Sequence, residues 1–284
     1  MNLNAAHFTI ERKAIVERFR SWTVDGDVSL TVYDSGFAPG PVALLINAYG
    51  MPFDAIRPLA LELVRRGYRA ITWDCRVLPG DGRPFVDVCG VTAHCTDAAT
   101  VLNACGVEHV DLAVGWCTGA RILLHLAARG TPTMGRGLLL NGAYVFGGVP
   151  LTTFQSQLHE LLARLAEDQR MASVLCAALQ RGVQRGQRFS SDPELGRIVA
   201  HPFKDADRLV RYAALFHDVV ADQDDLTLAA NVTFPLIVVS GLQDEVTSPE
   251  ASRLVATATP LATYVELSDG SHYVPYTHAD QLPL

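Results

Sequence analysis

From residue 42 onward, short apolar runs alternate with segments of helical periodicity, and no other feature limits the fold of this chain as tightly. The runs at 42–47, 68–73, 110–116 and 137–143 are apolar at successive positions, as strands must be when helices cover both faces of a parallel sheet. Between them, segments near 54–66, 91–104 and 118–128 carry apolar residues at three- and four-residue intervals. The alternation stops near residue 146 and resumes with a strand at 234–240, a helix near 249–257 and a strand at 263–267. In the gap, Phe154, Leu158, Leu161, Leu162 and Leu165 recur at helical spacing, as do Met171, Val174, Leu175, Ala178 and Leu179, and then Leu209, Val210, Ala213, Phe216 and Val220. This predicts an α/β core built from residues 1–145 and 231–284, with a helical cap inserted at 146–230, since neither flanking piece makes a complete sheet alone. Ahead of the core, alternating stretches at 19–24 and 28–33 flank Asp25-Gly26-Asp27, a hairpin signal.

Composition excludes several classes. With 284 residues, 49% hydrophobic and 19% charged, the chain can bury a large core, so disorder, collagen and coiled coil do not fit. Its 23 Lys plus Arg against 30 Asp plus Glu give a net charge of −7, unfavourable for binding nucleic acid or an anionic membrane. The longest apolar runs fall far short of the roughly 18 residues a membrane span needs. Asn2, Asn4, His7, Glu11, Arg12 and Lys13 interrupt the N-terminal stretch, so no secretory signal is readable. Six cysteines without a CxxC pair are expected to be free thiols in a reducing cytoplasm. No HxH, HExxH or aspartate cluster points to a metal, and no cofactor is expected.

The segment Val114-Gly115-Trp116-Cys117-Thr118-Gly119-Ala120 lies where a buried strand gives way to a helix. Its spacing is that of a nucleophile elbow, with cysteine in the nucleophile position. Gly115 and Gly119 keep the crowded backbone clear, and the first N–H groups of the helix point toward the space above the thiol. A glycine-flanked buried cysteine is the plain alternative. Two later segments favour chemistry. Val238-Val239-Ser240-Gly241-Leu242-Gln243-Asp244 puts a carboxylate beyond one strand end, and Asp269-Gly270-Ser271-His272 puts an imidazole beyond the next. Loops at carboxyl ends of parallel strands converge, so Cys117, His272 and Asp244 are expected to form a triad in which His272 deprotonates the thiol and Asp244 fixes the imidazole tautomer. Asn47-Ala48-Tyr49-Gly50-Met51-Pro52 follows the first parallel strand. The backbone N–H groups of Met51 and Thr118 are the expected oxyanion donors, with Tyr49 as the alternative to Met51. Tyr49 and Trp116 are also expected to contact substrate.

These four segments together resemble the α/β-hydrolase superfamily over nearly the whole length. Within it, the N-terminal hairpin, the Leu44-Leu45-Ile46-Asn47-Ala48-Tyr49-Gly50 segment and the inserted cap are similar to the bioluminescence-type acyl-carrier-protein thioesterases, which are acyltransferases of the thioesterase class. The resemblance implies a mostly parallel sheet with helices on both faces and an acyl-transfer or hydrolytic site. Two positions depart from the pattern: those relatives carry serine where this chain has Cys117, and many hydrolases carry histidine where it has Asn47. Both departures point away from simple hydrolysis.

Energetics then suggest a donor. A thiol that attacks an acyl thioester forms another thioester of nearly equal energy, whereas attack on an ester or amide would be uphill. The expected donor is therefore an acyl thioester on acyl carrier protein or coenzyme A, and the acceptor an alcohol, amine, carrier thiol or water. Two other readings stay open at this stage: an ester or lactone hydrolase of dienelactone-hydrolase type, and a ligand-binding pseudo-hydrolase or non-covalent elimination or cyclisation catalyst. Other residues carry weaker expectations. Arg181, Arg185 and Arg188 form either an acidic-carrier contact or a solvated face; His125 faces packing or solvent; His159, His201 and His217 fall in the cap, within reach of a pocket. Cys75, Cys89, Cys95, Cys105 and Cys176 are expected to pack in the core. Asp74 is expected to serve structure at its strand end and to order the loop that follows. Asn141 stands where some hydrolases place their acid, which favours Asp244. The segment after His272 is short, which suits either a brief closing helix or a homodimer whose partner covers the gap.

Overall fold

The computed structural model describes residues 19–26, 28–36, 40–76, 90–184, 190–221 and 225–284. Strands β1 (Arg20–Asp25) and β2 (Ser29–Asp34) form the hairpin, in the register Asp25↔Ser29. They lead into β3 (Val42–Ile46), β4 (Arg69–Trp73), β5 (His109–Trp116), β6 (Thr133–Leu140), β7 (Leu236–Gly241) and β8 (Ala262–Leu267). The eight strands lie in one sheet, in the order β1-β2-β4-β3-β5-β6-β7-β8. Both pairings of β2 are antiparallel, and every pairing from β4 to β8 is parallel. The order runs outward in both directions from β3 and β5, so the loops that follow these two strands lie side by side.

The side-chain alternation of the strands divides the core in two. Leu44 and Ile46 of β3, Ala113 of β5 and Val238 of β7 pack on one face, while Ala43 and Leu45, Val114 and Trp116, and Val239 pack on the other. The first face is covered by helices α2 (Val91–Ala104), α3 (Thr118–Arg129) and α9 (Pro249–Ala258); the second by α1 (Arg57–Arg65) and the short α10 (Val274–Thr277). Strands apolar at successive positions are thus explained by helices on both faces.

Both boundaries of β6 differ from the sequence reading. Strand β6 starts at Thr133 rather than near 137, because residues with little strand signal are held by pairing with β5, His109↔Thr133 and Val110↔Met134. It ends at Leu140 because Asn141 takes a φ of 44° and turns the chain out of the sheet. Between β6 and β7 lie α4 (Thr153–Glu167), α5 (Met171–Gln184), α6 (Pro193–Val199), α7 (Ala206–Ala221) and α8 (Asp225–Ala230). Leu162, Leu165, Ala172, Cys176, Leu209 and Ala213 form a separate core among α4, α5 and α7, with Leu158, Leu161 and Leu175 packed against it. Thr152 caps α4 by accepting the Gln155 N–H at 3.0 Å, and its hydroxyl donates to the Val246 carbonyl at 3.3 Å in the loop after β7.

Candidate active site

The turn from β5 into α3 is built around backbone crowding. An added Cβ at Gly115 would lie 2.5 Å from the Gly119 carbonyl oxygen, and one at Gly119 would lie 2.1 Å from that of Ile46. Both contacts are with backbone that cannot swing aside. Cys117, between the two glycines, adopts φ 56° and ψ −116°, a conformation that typically costs a non-glycine residue about 1–3 kcal/mol. Its N–H remains in the sheet, donating to the Leu140 carbonyl at 2.9 Å, and the side chain lines a cavity above the strand ends. Burial pushes the thiols of Cys95 and Cys105 up to about 12 and about 11, as expected of packing residues. Cys176 is buried and its thiol is pushed up in the same direction. Cys89 lies outside the described residues.

His272 Nδ1 lies 2.9 Å from Asp244 Oδ2, and the imidazole lines the same cavity as the Cys117 side chain, so carboxylate, imidazole and thiol are gathered at one end of the sheet. Asp244 accepts the N–H groups of Val246 (2.7 Å) and Thr247 (2.9 Å) on Oδ1, and the Thr247 hydroxyl (2.7 Å) on Oδ2 beside the imidazole. Burial alone would raise its pKa; the charge and hydrogen bond of His272, with the backbone and hydroxyl hydrogen bonds of Thr247, outweigh burial and hold it below the ordinary carboxylate value. For His272, burial acts to lower the pKa, yet the Asp244 charge and hydrogen bond, together with Cys117, push it up to about 10. Glu245, next in sequence to the acid, is exposed.

The acid and histidine loops are held by residues whose part the sequence reading did not foresee. Asn141 donates from Nδ2 to the carbonyls of Ser271 (2.8 Å) and His272 (3.0 Å), and its Oδ1 accepts the Gly241 N–H at 2.8 Å. It therefore ties the end of β6 to both loops. Trp116, expected to contact substrate, does line the cavity, but its indole N–H donates to the His272 carbonyl at 2.9 Å. Asp74 accepts the Tyr33 hydroxyl at 2.9 Å and the Phe53 N–H at 3.2 Å, so it orders the turn after the 47–52 loop. The loop it was expected to order lies mostly outside the described residues; at its start, Arg76 donates to Asp97 at 2.8 Å.

The loop after β3 differs from expectation in its hydrogen bonds. Register Ile46↔Gly115 sets it beside the elbow, and Tyr49, Met51 and Thr118 all line the cavity. However, the Met51 N–H donates back to the Ala48 carbonyl at 3.2 Å, and the Tyr49 N–H donates to Thr118 Oγ1 at 2.8 Å. The Thr118 N–H stands at the first position of α3, where the helix itself supplies no acceptor.

The cavity holds about 60 Å³. Cys117, Thr118 and His272 sit with Trp116 and Tyr273 on the core side, while Phe154, Val199, Phe203 and Tyr212 come from the inserted segment. Phe203 meets Tyr212 edge to face, with ring centroids 5.6 Å apart. His272 is the histidine of this lining: His201 instead receives the Arg208 guanidinium at 2.9 Å, His159 is half-buried, and the side chain of His217 lies outside the description. His125 stands 3.9 Å from Asp225 on the far side of α3. Arg181 is exposed on α5, and Arg185 and Arg188 fall outside the described residues. Among the described residues no group of histidine, cysteine and carboxylate side chains is arranged to hold a metal, and no helix is long and apolar enough to cross a membrane.

Comparison with known proteins agrees with this architecture. The family described as serine aminopeptidase, S33 matches residues 41–274. A search of curated protein sequences finds no match. Among solved structures, the enol-lactonase from Burkholderia xenovorans LB400 superposes with a TM-score of 0.72 at 20% identity, covering 92% of this chain and 96% of that one. A thermophilic esterase from Thermogutta terrifontis gives a TM-score of 0.67 at 16% identity, covering 92% and 94%. A bromoperoxidase from Bacillus anthracis gives 0.70 at 16% identity, covering 92% and 96%. At these identities the likeness is one of fold.

Proposed function

Because the chain belongs to the serine aminopeptidase, S33 family of α/β-hydrolases, we propose that it is an acyltransferase or thioesterase that takes an acyl group from a thioester donor through an acyl-cysteine at Cys117. What supports this reading is a thiol at the elbow that shares one cavity with an imidazole held by a buried carboxylate, in a family whose description is that of serine enzymes. In the forward step Cys117 Sγ adds to the thioester carbonyl carbon while the thiol's proton is held on His272 Nε2, as the raised pKa of the imidazole favours. The Asp244 carboxylate stabilises the imidazolium that forms. As the intermediate collapses, the donor's C–S bond breaks and His272 returns the proton to the departing thiolate. One thioester is exchanged for another, so the acyl group stays activated for an alcohol, an amine, a thiol or water.

The cavity narrows the acyl group. About 60 Å³ leaves room for roughly four to six water-sized groups, and its walls are apolar and aromatic. Short, uncharged acyl groups fit this space, carried on coenzyme A or on an acyl carrier protein whose bulk stays outside.

Intact-protein mass spectrometry after brief incubation with acyl thioesters from acetyl to decanoyl tests the reading. A mass gain equal to a short acyl group, located on Cys117 and lost in Cys117→Ala, is the expected result. If no adduct forms while the thiol alkylates normally, covalent acyl transfer is rejected. Turnover of a small enol lactone in that situation would favour the ester or lactone hydrolase.

A further inference from the structure

The hydrogen bonds of the loop after β3 raise a question about charge at the site. When Cys117 Sγ adds to the acyl carbonyl, the π electrons of that bond move onto oxygen, and this oxygen requires donors on the side facing the elbow. Beyond Asn47 the loop's backbone offers four N–H groups, and each has a partner. Ala48 donates to Asn47 Oδ1 at 2.9 Å, Tyr49 to Thr118 Oγ1 at 2.8 Å, Gly50 to Cys75 Sγ at 3.3 Å, and Met51 to the Ala48 carbonyl at 3.2 Å. The first expected donor is therefore turned into its own loop, and the alternative ends on a hydroxyl.

We propose that this hydroxyl, Thr118 Oγ1, is the second oxyanion donor, acting beside the Thr118 backbone N–H in place of an N–H from the loop. The inference rests on the acyl-cysteine reading above. Thr118 is 2% exposed, follows Cys117 directly and lines the same cavity as Cys117 and His272. The Tyr49 N–H occupies one lone pair of Oγ1 and leaves the hydroxyl proton to be given away. A hydroxyl that already accepts a hydrogen bond is polarised and donates more strongly. The bond from Tyr49 thus keeps its effect on the oxyanion, relayed through one oxygen. Thr118 keeps its own proton throughout; the proton that moves is the one passed from the Cys117 thiol through His272 to the leaving thiolate.

Three substitutions separate this role from a merely structural one. Thr118→Val keeps the shape and removes the hydroxyl, so the Tyr49 N–H loses its acceptor and faces a methyl group; Thr118→Ala removes both and opens space beside that N–H; and Thr118→Ser keeps the donor. Single-turnover acylation by a short acyl-coenzyme A is followed by intact mass, with steady-state kcat and KM measured alongside. Loss of an oxyanion donor typically slows the step by about 10²–10³-fold. Thr118→Val and Thr118→Ala are expected to lose acylation rate on that scale with KM within about twofold, and Thr118→Ser to stay within a few-fold of wild type. Iodoacetamide alkylation of Cys117 and thermal melts establish that each variant keeps its fold; should the valine variant melt early, the alanine–serine comparison decides. Acylation unchanged or faster in Thr118→Val or Thr118→Ala overturns the proposal, since Thr118 would then only occupy the Tyr49 N–H. A change confined to KM overturns it as well. If wild-type protein itself forms no adduct, the acyl-cysteine reading fails, and this inference fails with it; a wild-type adduct with indifferent Thr118 variants removes the donor role alone.

Discussion

The carboxylate of Asp244 acts on His272 and on its own loop through different atoms. Oδ1 holds two backbone N–H groups, whereas Oδ2 faces the imidazole and the Thr247 hydroxyl. In Asp244→Asn, those backbone donors keep the amide oxygen at the Oδ1 position and turn the NH₂ group toward His272. Nδ1 must then accept rather than donate, so the proton sits on Nε2, where the Cys117 proton needs to go. Acylation is expected to fall by about 10²–10⁴-fold, as wrong-tautomer variants of such triads do. The charge that helps raise the His272 pKa to about 10 is also lost, so His272 is expected to titrate at a lower pH in the variant, as histidine NMR shifts will report. Stability carries a sign of its own. The folded-state pKa of Asp244 lies below its ordinary 3.8, so its contribution is present above that pH and is lost as acid carries the protein through the lower value. The wild type should therefore weaken with falling pH over that range more than Asp244→Asn does. A variant in which His272 still titrates near 10 would remove Asp244 as the cause.

At the scale of strands and turns, the site depends on how closely β3 approaches α3. A Cβ at Gly119 would meet the Ile46 carbonyl carbon at 2.8 Å and the Asn47 carbonyl oxygen at 2.9 Å, besides the 2.1 Å contact with the Ile46 oxygen. Gly119→Ala must push the end of β3 away from the elbow, and overpacking of this kind costs about 1–3 kcal/mol or more. Gly147→Ala is the control: a Cβ there meets nothing within 4 Å, and a surface change of this kind stays within about 0.5 kcal/mol. Urea melts of the two variants should differ accordingly, and equal stabilities would show that the approach is not tight. The same local rule made the elbow legible in the sequence, because crowding demands small residues at fixed offsets from the nucleophile. The β/α alternation was legible for a similar reason: each strand between two helical layers must be apolar at successive positions. The part played by Asn141 was not legible. Its amide reaches Gly241, Ser271 and His272, residues far along the chain that only the strand order brings together. Nor could the sequence show that the Met51 N–H folds back on Ala48, since that is set by the turn of one loop.

Across the whole molecule, the helices between β6 and β7 are bound to the helix that follows the elbow, α3, as well as laid over the site. Arg121 of α3 donates to Asp225 at the start of α8 at 2.7 Å, and both side chains are almost fully buried. Breaking such a pair by removing one partner leaves a buried charge uncompensated, so this contact ties the end of the insertion to the helix after the elbow. Pro202 and Tyr212 press close to Gly50, so the inserted segment also packs on the loop beside the site. The inserted segment thus forms the outer wall of the cavity, and under the acyl-cysteine proposal acyl length should depend on the side chains of that wall. Phe203 is the clearest candidate, half-buried in that wall with its ring against Tyr212. Phe203→Ala would extend the cavity by the volume of a ring without touching Cys117, His272 or Asp244. Each newly buried methylene is worth about 0.8 kcal/mol, close to fourfold in kcat/KM. The ratio of hexanoyl to acetyl thioester kcat/KM should therefore rise by roughly 10- to 50-fold in the variant, with the acetyl rate itself little changed. An unchanged ratio with normal acetyl turnover would mean that longer chains leave the cavity by its open side and that the inserted segment does not measure them.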